Sequence, residues 1–233
     1  MRCPRARWRS WTSGCYCAPK THAVYAFCTV DLSAVYFDVL KDRLYTSAPK
    51  SQARRSAQTA LYRLLDAFVR LLAPLMSFTA EEVWGHMGRA GSVHMAYFPE
   101  PAELAAGLDE AARKRAANWD RLMPVRDGVL KHLDTARNEK LIGAPLEARV
   151  RLSANGELYT LLVQYAEQLP ALFIVSQVVV ERAEGDALGV KVERAAGDKC
   201  ERCWKYTSDV GGDASFPTIC LPCAGAVHEI IHG

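Results

Sequence analysis

Four cysteines near the end of the chain are the residues best able to do chemistry together. Cys200 and Cys203 form one Cys-x2-Cys hook and Cys220 and Cys223 a second, with the sixteen residues Trp204 to Ile219 between them. Each hook brings two sulfurs to one side of a tight turn. Two facing hooks supply the four thiolates of a tetrahedral Zn²⁺ site, with Zn–S distances of about 2.3 Å. Four unrelated thiols, or a disulfide pair, are the competing reading; paired hooks at this spacing favour zinc. No ligand position is left for water, so the expectation is one structural zinc, not a catalytic one. Metal binding of about 10–16 kcal/mol would hold a segment too short to build its own core. The site would carry a formal charge of about −2, which Lys199, Arg202 and Lys205 can offset. Trp204 is expected to pack over the metal.

The elements that must carry these hooks are mainly helical. The chain has 233 residues, half of them apolar, and a net charge of +3 from 29 basic and 26 acidic residues. That balance permits a local nucleic-acid patch without arguing for one. Eight cysteines in a chain this long do not suggest a secreted disulfide scaffold. A reducing cytoplasm is the simplest setting. No uninterrupted apolar run approaches 18 residues, so no membrane span is expected.

Residues 1–21 differ from the rest: Arg2, Arg5, Arg7 and Arg9 stand beside Trp8 and Trp11, and no acidic residue precedes Asp31. Three readings compete: a basic arm for nucleic acid, an organellar targeting peptide, or a poorly structured tail outside the genuine coding sequence. The tail is expected. Helical period then runs from residue 22 to 45 through Val24, Cys28, Leu32, Val35 and Val39. A second helix is predicted over residues 51–73, with Leu61, Leu64, Leu65, Phe68 and Leu72 on one face and Asp66 and Arg70 spaced to pair. Thr79 and Glu82 fit a capping box that starts a short helix. Residues 92–99 read as an extended connector, and residues 103–140 as a helix that Pro124 kinks or splits. The period then changes. Residues 146–152 read as a strand, 158–169 as a helix ended by Pro170, and 171–181 and 189–193 as strands. Together they make a small α/β unit.

Several charged residues are candidate contacts for an anionic partner. Arg54 and Arg55 sit in a first helical turn, where the helix dipole disfavours cations. Arg126 and Arg137 lie three turns apart at the edge of an apolar stripe, with Lys140 beyond; snorkelling and phosphate contact are equally compatible. His94 has no companion ligand. The pair Glu81 and Glu82 sits in the capping box, which favours a structural role. No glycine-rich phosphate loop and no Ser-His-Asp or Cys-His arrangement stands out.

The segments Val30-Asp-Leu-Ser-Ala-Val-Tyr-Phe-Asp38, Lys41-Asp-Arg-Leu-Tyr45 and Leu72-Ala-Pro-Leu-Met-Ser-Phe-Thr-Ala-Glu-Glu-Val-Trp84 resemble the anticodon-binding helical domain of bacterial-type isoleucyl-tRNA synthetases. So do Ser92-Val-His94 before Phe98-Pro99, and Arg137-x-x-Lys140-x-Ile-Gly143 before Leu146-Glu-Ala148. The two hooks are similar to the zinc finger that ends those enzymes. The resemblance covers residues 22–230 and implies a mainly α architecture. Residues 22–145 would be a helical-bundle anticodon-binding domain, 146–195 a small α/β junction and 196–233 a zinc finger.

The family joins isoleucine to its tRNA with ATP. This chain shows no nucleotide-binding motif of the family and no editing domain, so ATP is expected only in the full-length family. What the resemblance carries over is recognition of isoleucine tRNA. The catalytic domain would be a partner in cis or in trans, and no membrane is involved. The resemblance suggests Arg54, Arg55, Arg137, Lys140, Arg202, Trp204 and Lys205 as RNA contacts. Two rivals remain: a free-standing tRNA-binding subunit, and a relative of the formamidopyrimidine DNA-repair glycosylases, which share a four-Cys finger. The second lacks its chemistry here, because Pro4 is neither N-terminal nor followed by Glu.

Overall fold

A computed structural model describes residues 18–185 and 187–232. The basic start of the chain, with its three competing readings, lies outside the described residues up to residue 17. Helix dominates, beside a small mixed sheet. The chain divides into two compact units, residues up to 34 with 55–109, and residues 35–54 with 110–233.

The second unit is built on α6 (Glu110–Asn138) and a three-stranded sheet of β1 (Ala148–Ala154), β2 (Gln177–Arg182) and β3 (Gly189–Arg194). The strand order is β2-β1-β3; β1 pairs parallel with β2 and antiparallel with β3. A parallel pair needs a crossover, here α7 (Gly156–Gln164) and α8 (Leu169–Phe173). Strand β1 alternates strictly: Ala148, Val150, Leu152 and Ala154 are buried, and Arg149, Arg151 and Ser153 are half-exposed on the other face. The buried row meets Leu122, Val125 and Val129 of α6 and Leu162, Leu169 and Phe173 of the crossover in one core. Arg151 reaches Glu181 on β2 and Glu193 on β3, tying the outer face together.

The structure corrects several expectations in this unit. Helix α6 runs unbroken through Pro124. A proline removes one backbone donor, and the buried residues Leu122, Val125 and Val129 on either side hold the helix to the core. The break falls earlier, between α5 (Pro101–Leu104) and α6. Arg126 neither snorkels nor faces outward: it is buried, and its Nε donates to the Leu172 carbonyl at 3.1 Å. Pro170 starts a helix, because a proline at the first helical positions lacks only a donor that would be unpaired anyway. Residues 171–173 are therefore helical, and β2 begins only at Gln177.

In the first unit, α1 (Ala18–Ala26) continues into a π-helical run, Phe27–Phe37, and α2 (Asp38–Tyr45) prolongs it into the second unit. The wider turns shift the expected stripe, and among the described side chains from His22 to Tyr45 only Leu32 and Leu40 are buried. The run His22–Tyr45 is long and apolar enough, by length and composition only, to cross a membrane, and little of it is buried. Asp31 and Asp38 interrupt the apolar residues, so no uninterrupted apolar run of that length exists, yet the run as a whole stays apolar.

Helix α3 (Gln52–Leu72) and α4 (Ser77–His86) supply a small core of Val69, Ala73, Ala80 and Trp84, closed by Val93. Phe27 and Phe68 meet at 6.0 Å. Arg70 joins Asp66 at 2.7 Å and Glu103 at 2.6 Å, and Arg89 joins Asp66 at 2.5 Å. The capping box does not form. The backbone is already helical at Ser77, and Glu81 rather than Glu82 accepts from outside, taking Ser92 Oγ at 2.8 Å and the Val93 amide at 3.0 Å. The connector is a 3-10 turn at Val93–Met95, not fully extended.

Candidate metal centre and nucleic-acid interface

The first hook lies between β4 (Asp198–Lys199) and β5 (Tyr206–Thr207), which pair antiparallel. The Cys200 amide bonds to the Lys205 carbonyl at 2.9 Å and the Trp204 amide to the Cys200 carbonyl at 2.9 Å, so the chain folds into a tight knuckle. That turn puts Trp204 at φ +65°. Gly197 precedes it at φ +93°, and a Cβ there would meet the Thr207 carbonyl carbon at 2.4 Å, so only glycine allows β4 to approach β5. The second hook opens α9 (Leu221–His232), with Cys220 just before the helix and Cys223 in its first turn. A helix N-terminus favours negative charge, here thiolate.

Sulfurs of Cys200, Cys203, Cys220 and Cys223 all lie within 4.8 Å of one another. Cys203 Sγ and Cys220 Sγ are 3.8 Å apart. A tetrahedron with bonds of about 2.3 Å has edges of about 3.8 Å. The donor set therefore fits one structural zinc in size and softness. The Cys220 amide donates to Cys200 Sγ at 3.3 Å, the kind of bond that orients a thiolate ligand. Burial alone would raise the Cys200 thiol, but amides of Cys203, Cys220 and Arg202 aimed at its sulfur bring it down to about 6. Burial pushes Cys220 up to about 12 and Cys203 higher still. Loading a metal displaces those protons.

The cations around the first hook mostly serve internal contacts. An Arg202 guanidinium nitrogen donates to the Thr46 carbonyl, just past the end of α2, at 2.6 Å. Lys205 pairs with Asp42 of α2. On the other side, Glu229 of α9 accepts the Lys50 amide at 2.9 Å. Burial would raise the Asp42 carboxyl, but hydrogen bonds from Lys205 and Thr46 hold it below its ordinary value. Residues 42–51, the elbow between α2 and α3, are thus gripped from three points of the finger. A cleft of ≈ 570 Å³, lined among others by Asp42, Ser51, Ser176, Cys203 and Glu229, lies beside the grip. Sequence reasoning missed Asp42 and Glu229, because nothing local marks a carboxylate whose partner lies more than 150 residues away.

Trp204 does not pack over the metal. It is 62% exposed, with Lys199 Nζ 5.7 Å from the ring centroid. The remaining predicted contacts are spread out. Arg54 is half-buried and bonds to the Ser47 carbonyl at 3.4 Å; Arg55 is exposed. Arg137 is exposed and paired with Asp134 at 2.6 Å. Lys140 is exposed, at φ +58°, in the left-handed turn that closes α6. Near that turn Arg194, absent from the predicted set, donates to the Leu141 carbonyl at 2.8 Å.

Residues 20–152 match the family model described as the anticodon-binding domain of tRNA ligase, and residues 197–224 the zinc finger found in FPG and IleRS. The isoleucine–tRNA ligase of Carboxydothermus hydrogenoformans is 47% identical over 220 residues, covering 90% of this chain and 23% of the relative. That of Syntrophotalea carbinolica is 48% identical over 219 residues, 89% of this chain and 23% of the relative. That of Geobacter sulfurreducens is 46% identical over 217 residues, with 88% and 23% covered. The chain therefore spans under a quarter of the length of the curated relatives it matches. The finger is shared with a repair-enzyme group, but the match over residues 20–152 is not, so a glycosylase is not favoured.

Proposed function

The chain belongs to the family of the anticodon-binding domain of tRNA ligases, and from that premise we propose that it recognises isoleucine tRNA through the anticodon stem-loop. One observation carries the reading: an anticodon-binding match and a four-thiolate finger follow each other in a single chain. In this reading residues 22–145 are the helical-bundle domain, 146–195 the junction and 196–233 the finger. One structural zinc sits on Cys200, Cys203, Cys220 and Cys223.

Loop bases are read by stacking and edge hydrogen bonds, while phosphate contacts set register. The exposed indole of Trp204 is the stacking surface, with Lys199 beside it. Arg55, Arg137 and Lys140 meet phosphates, as does Arg54 where its bond to the Ser47 carbonyl leaves it accessible. Arg202 and Lys205 act indirectly, by seating the finger on the elbow. Attachment of isoleucine with ATP belongs to a catalytic portion beyond these residues, and the setting is the cytoplasm.

Binding of labelled isoleucine tRNA and of duplex DNA of similar length, measured by filter retention from 50 to 200 mM salt, tests this. The tRNA should bind more tightly at every salt concentration. Its affinity should fall at least about tenfold across the range as counterions are released. Equal affinity for the duplex defeats the reading.

A further inference from the structure

Helix α9 carries a pattern that anticodon recognition does not use. His228-Glu229-Ile230-Ile231-His232 sets two imidazoles four residues apart, with a glutamate after the first. On a helix that spacing puts both rings on one face, a turn apart. The His228 and His232 rings do lie nearly parallel, at 21°, with centroids 6.0 Å apart. Two histidines so spaced on a helix are a sequence sign of a divalent-metal site.

A carboxylate joins them from a different element. Asp213, in the stretch between the two hooks, holds Oδ2 2.9 Å from His228 Nε2. With metal–ligand bonds of about 2.0–2.2 Å, neighbouring nitrogen and oxygen ligands stand about 2.9–3.4 Å apart. Asp213 and His228 are therefore already at ligand spacing. Both are held in place. The Ser215 amide donates to Asp213 Oδ1 at 2.8 Å, and the Phe216 ring meets the His228 ring edge-on at 5.1 Å. The Ser215 amide and the His228 contact keep the Asp213 carboxyl below its ordinary value, so it meets a cation ionised. Among the described residues, the four cysteines are the one group of three or more ligands already converged. Here two ligands are in place, and the ring of His232, exposed in the last turn of α9, has to turn toward them.

Glu229 separates binding from hydrolysis. In the hydrolytic use of this pattern the glutamate is the general base. Here its carboxylate is engaged by the elbow, accepting the Lys50 amide at 2.9 Å. What remains is a binding site of two imidazoles and one carboxylate, a donor set that suits Zn²⁺ and its first-row neighbours.

We infer that His228, His232 and Asp213 form a second divalent-metal site, distinct from the four-thiolate centre. A bound ion clips the stretch between the hooks to the far end of α9. The test uses the full 233-residue chain without a histidine tag, loaded with one Zn²⁺ and desalted, into which more Zn²⁺ is titrated by calorimetry. One further equivalent should bind. His232→Ala should weaken that binding at least about tenfold, with the first zinc and the circular dichroism spectrum unchanged. Asp213→Asn should weaken it as well, and His94→Ala should not. Co²⁺ added in place of the second Zn²⁺ should lack the thiolate-to-metal charge-transfer absorption that four-cysteine coordination gives. No second equivalent overturns the inference, as does a second equivalent that His232→Ala leaves unweakened, or thiolate absorption from the added Co²⁺. None of these readouts involves tRNA, so the outcome is independent of the function proposed above.

Discussion

The two units bury their apolar residues very differently. The unit of residues 35–54 and 110–233 closes a core of seventeen buried residues between one long helix, a crossover and a sheet. The unit of residues up to 34 and 55–109 has a core of five around Trp84, while Phe78, Met95 and Tyr97 stand more than four-fifths exposed. The larger core belongs to the unit that carries the finger. The lesson is that an amphipathic pattern reports how much apolar surface a helix has, not which chain buries it.

The comparison can be broken most directly through the finger. Chelating the metal, or Cys220→Ser, should remove binding worth on the order of 10–16 kcal/mol. Amide hydrogen exchange should then accelerate across residues 197–232 and at the elbow it grips, while β1 stays protected. Protection that survives metal removal would show that the tail folds without metal. Next comes the core: Phe173→Ala should cost about 3–5 kcal/mol in denaturant unfolding. Phe78→Ala should change stability by less than about 0.5 kcal/mol. Similar losses would erase the contrast between the units.

Trp204→Ala should leave stability unchanged yet weaken tRNA binding by about 1–3 kcal/mol, the value of one stacked base. A smaller effect than at the core is expected at the grip. Lys205→Ala should cost about 0.5–1 kcal/mol, because both partners are about a third exposed. The sign of its pH dependence follows from Asp42. Its folded pKa lies below the ordinary value, so the stabilisation is complete above about pH 4 and fades as pH falls further. Stability curves of the Asp42→Asn variant and the unaltered chain should therefore converge in acid.

Much of this was legible beforehand, for physical reasons that differ by element. The hooks were readable because ligand spacing is set by local covalent geometry, and the four sulfurs do converge. The extent of helix α3 and the alternation of strand β1 were readable because their periods are long or strict, but the expected stripe of α3 was not its buried face: Ala57, Ala67, Val69 and Leu71 are buried, while Leu61, Leu64, Phe68 and Leu72 are half-buried and Leu65 is exposed. Proline misled at Pro170, where a helix start passed for a helix end, and of the two outcomes expected at Pro124 the split does not occur, because packing on both sides holds the helix together. Arg126 looked like a surface cation because its acceptor, the Leu172 carbonyl, is a long-range neighbour. Trp204 is exposed and sits at a positive φ, which no composition rule announces for a tryptophan. The grip of Arg202, Lys205 and Glu229 on the elbow was invisible for the same reason as Arg126.

The central claim is that this chain reads an anticodon. The direct measurement is the dissociation constant for isoleucine tRNA beside that for the same tRNA with its three anticodon bases replaced, at fixed salt with zinc-loaded protein. The account predicts affinity for the altered tRNA at least about tenfold weaker, on the scale of one lost stacked base. Equal dissociation constants would contradict it.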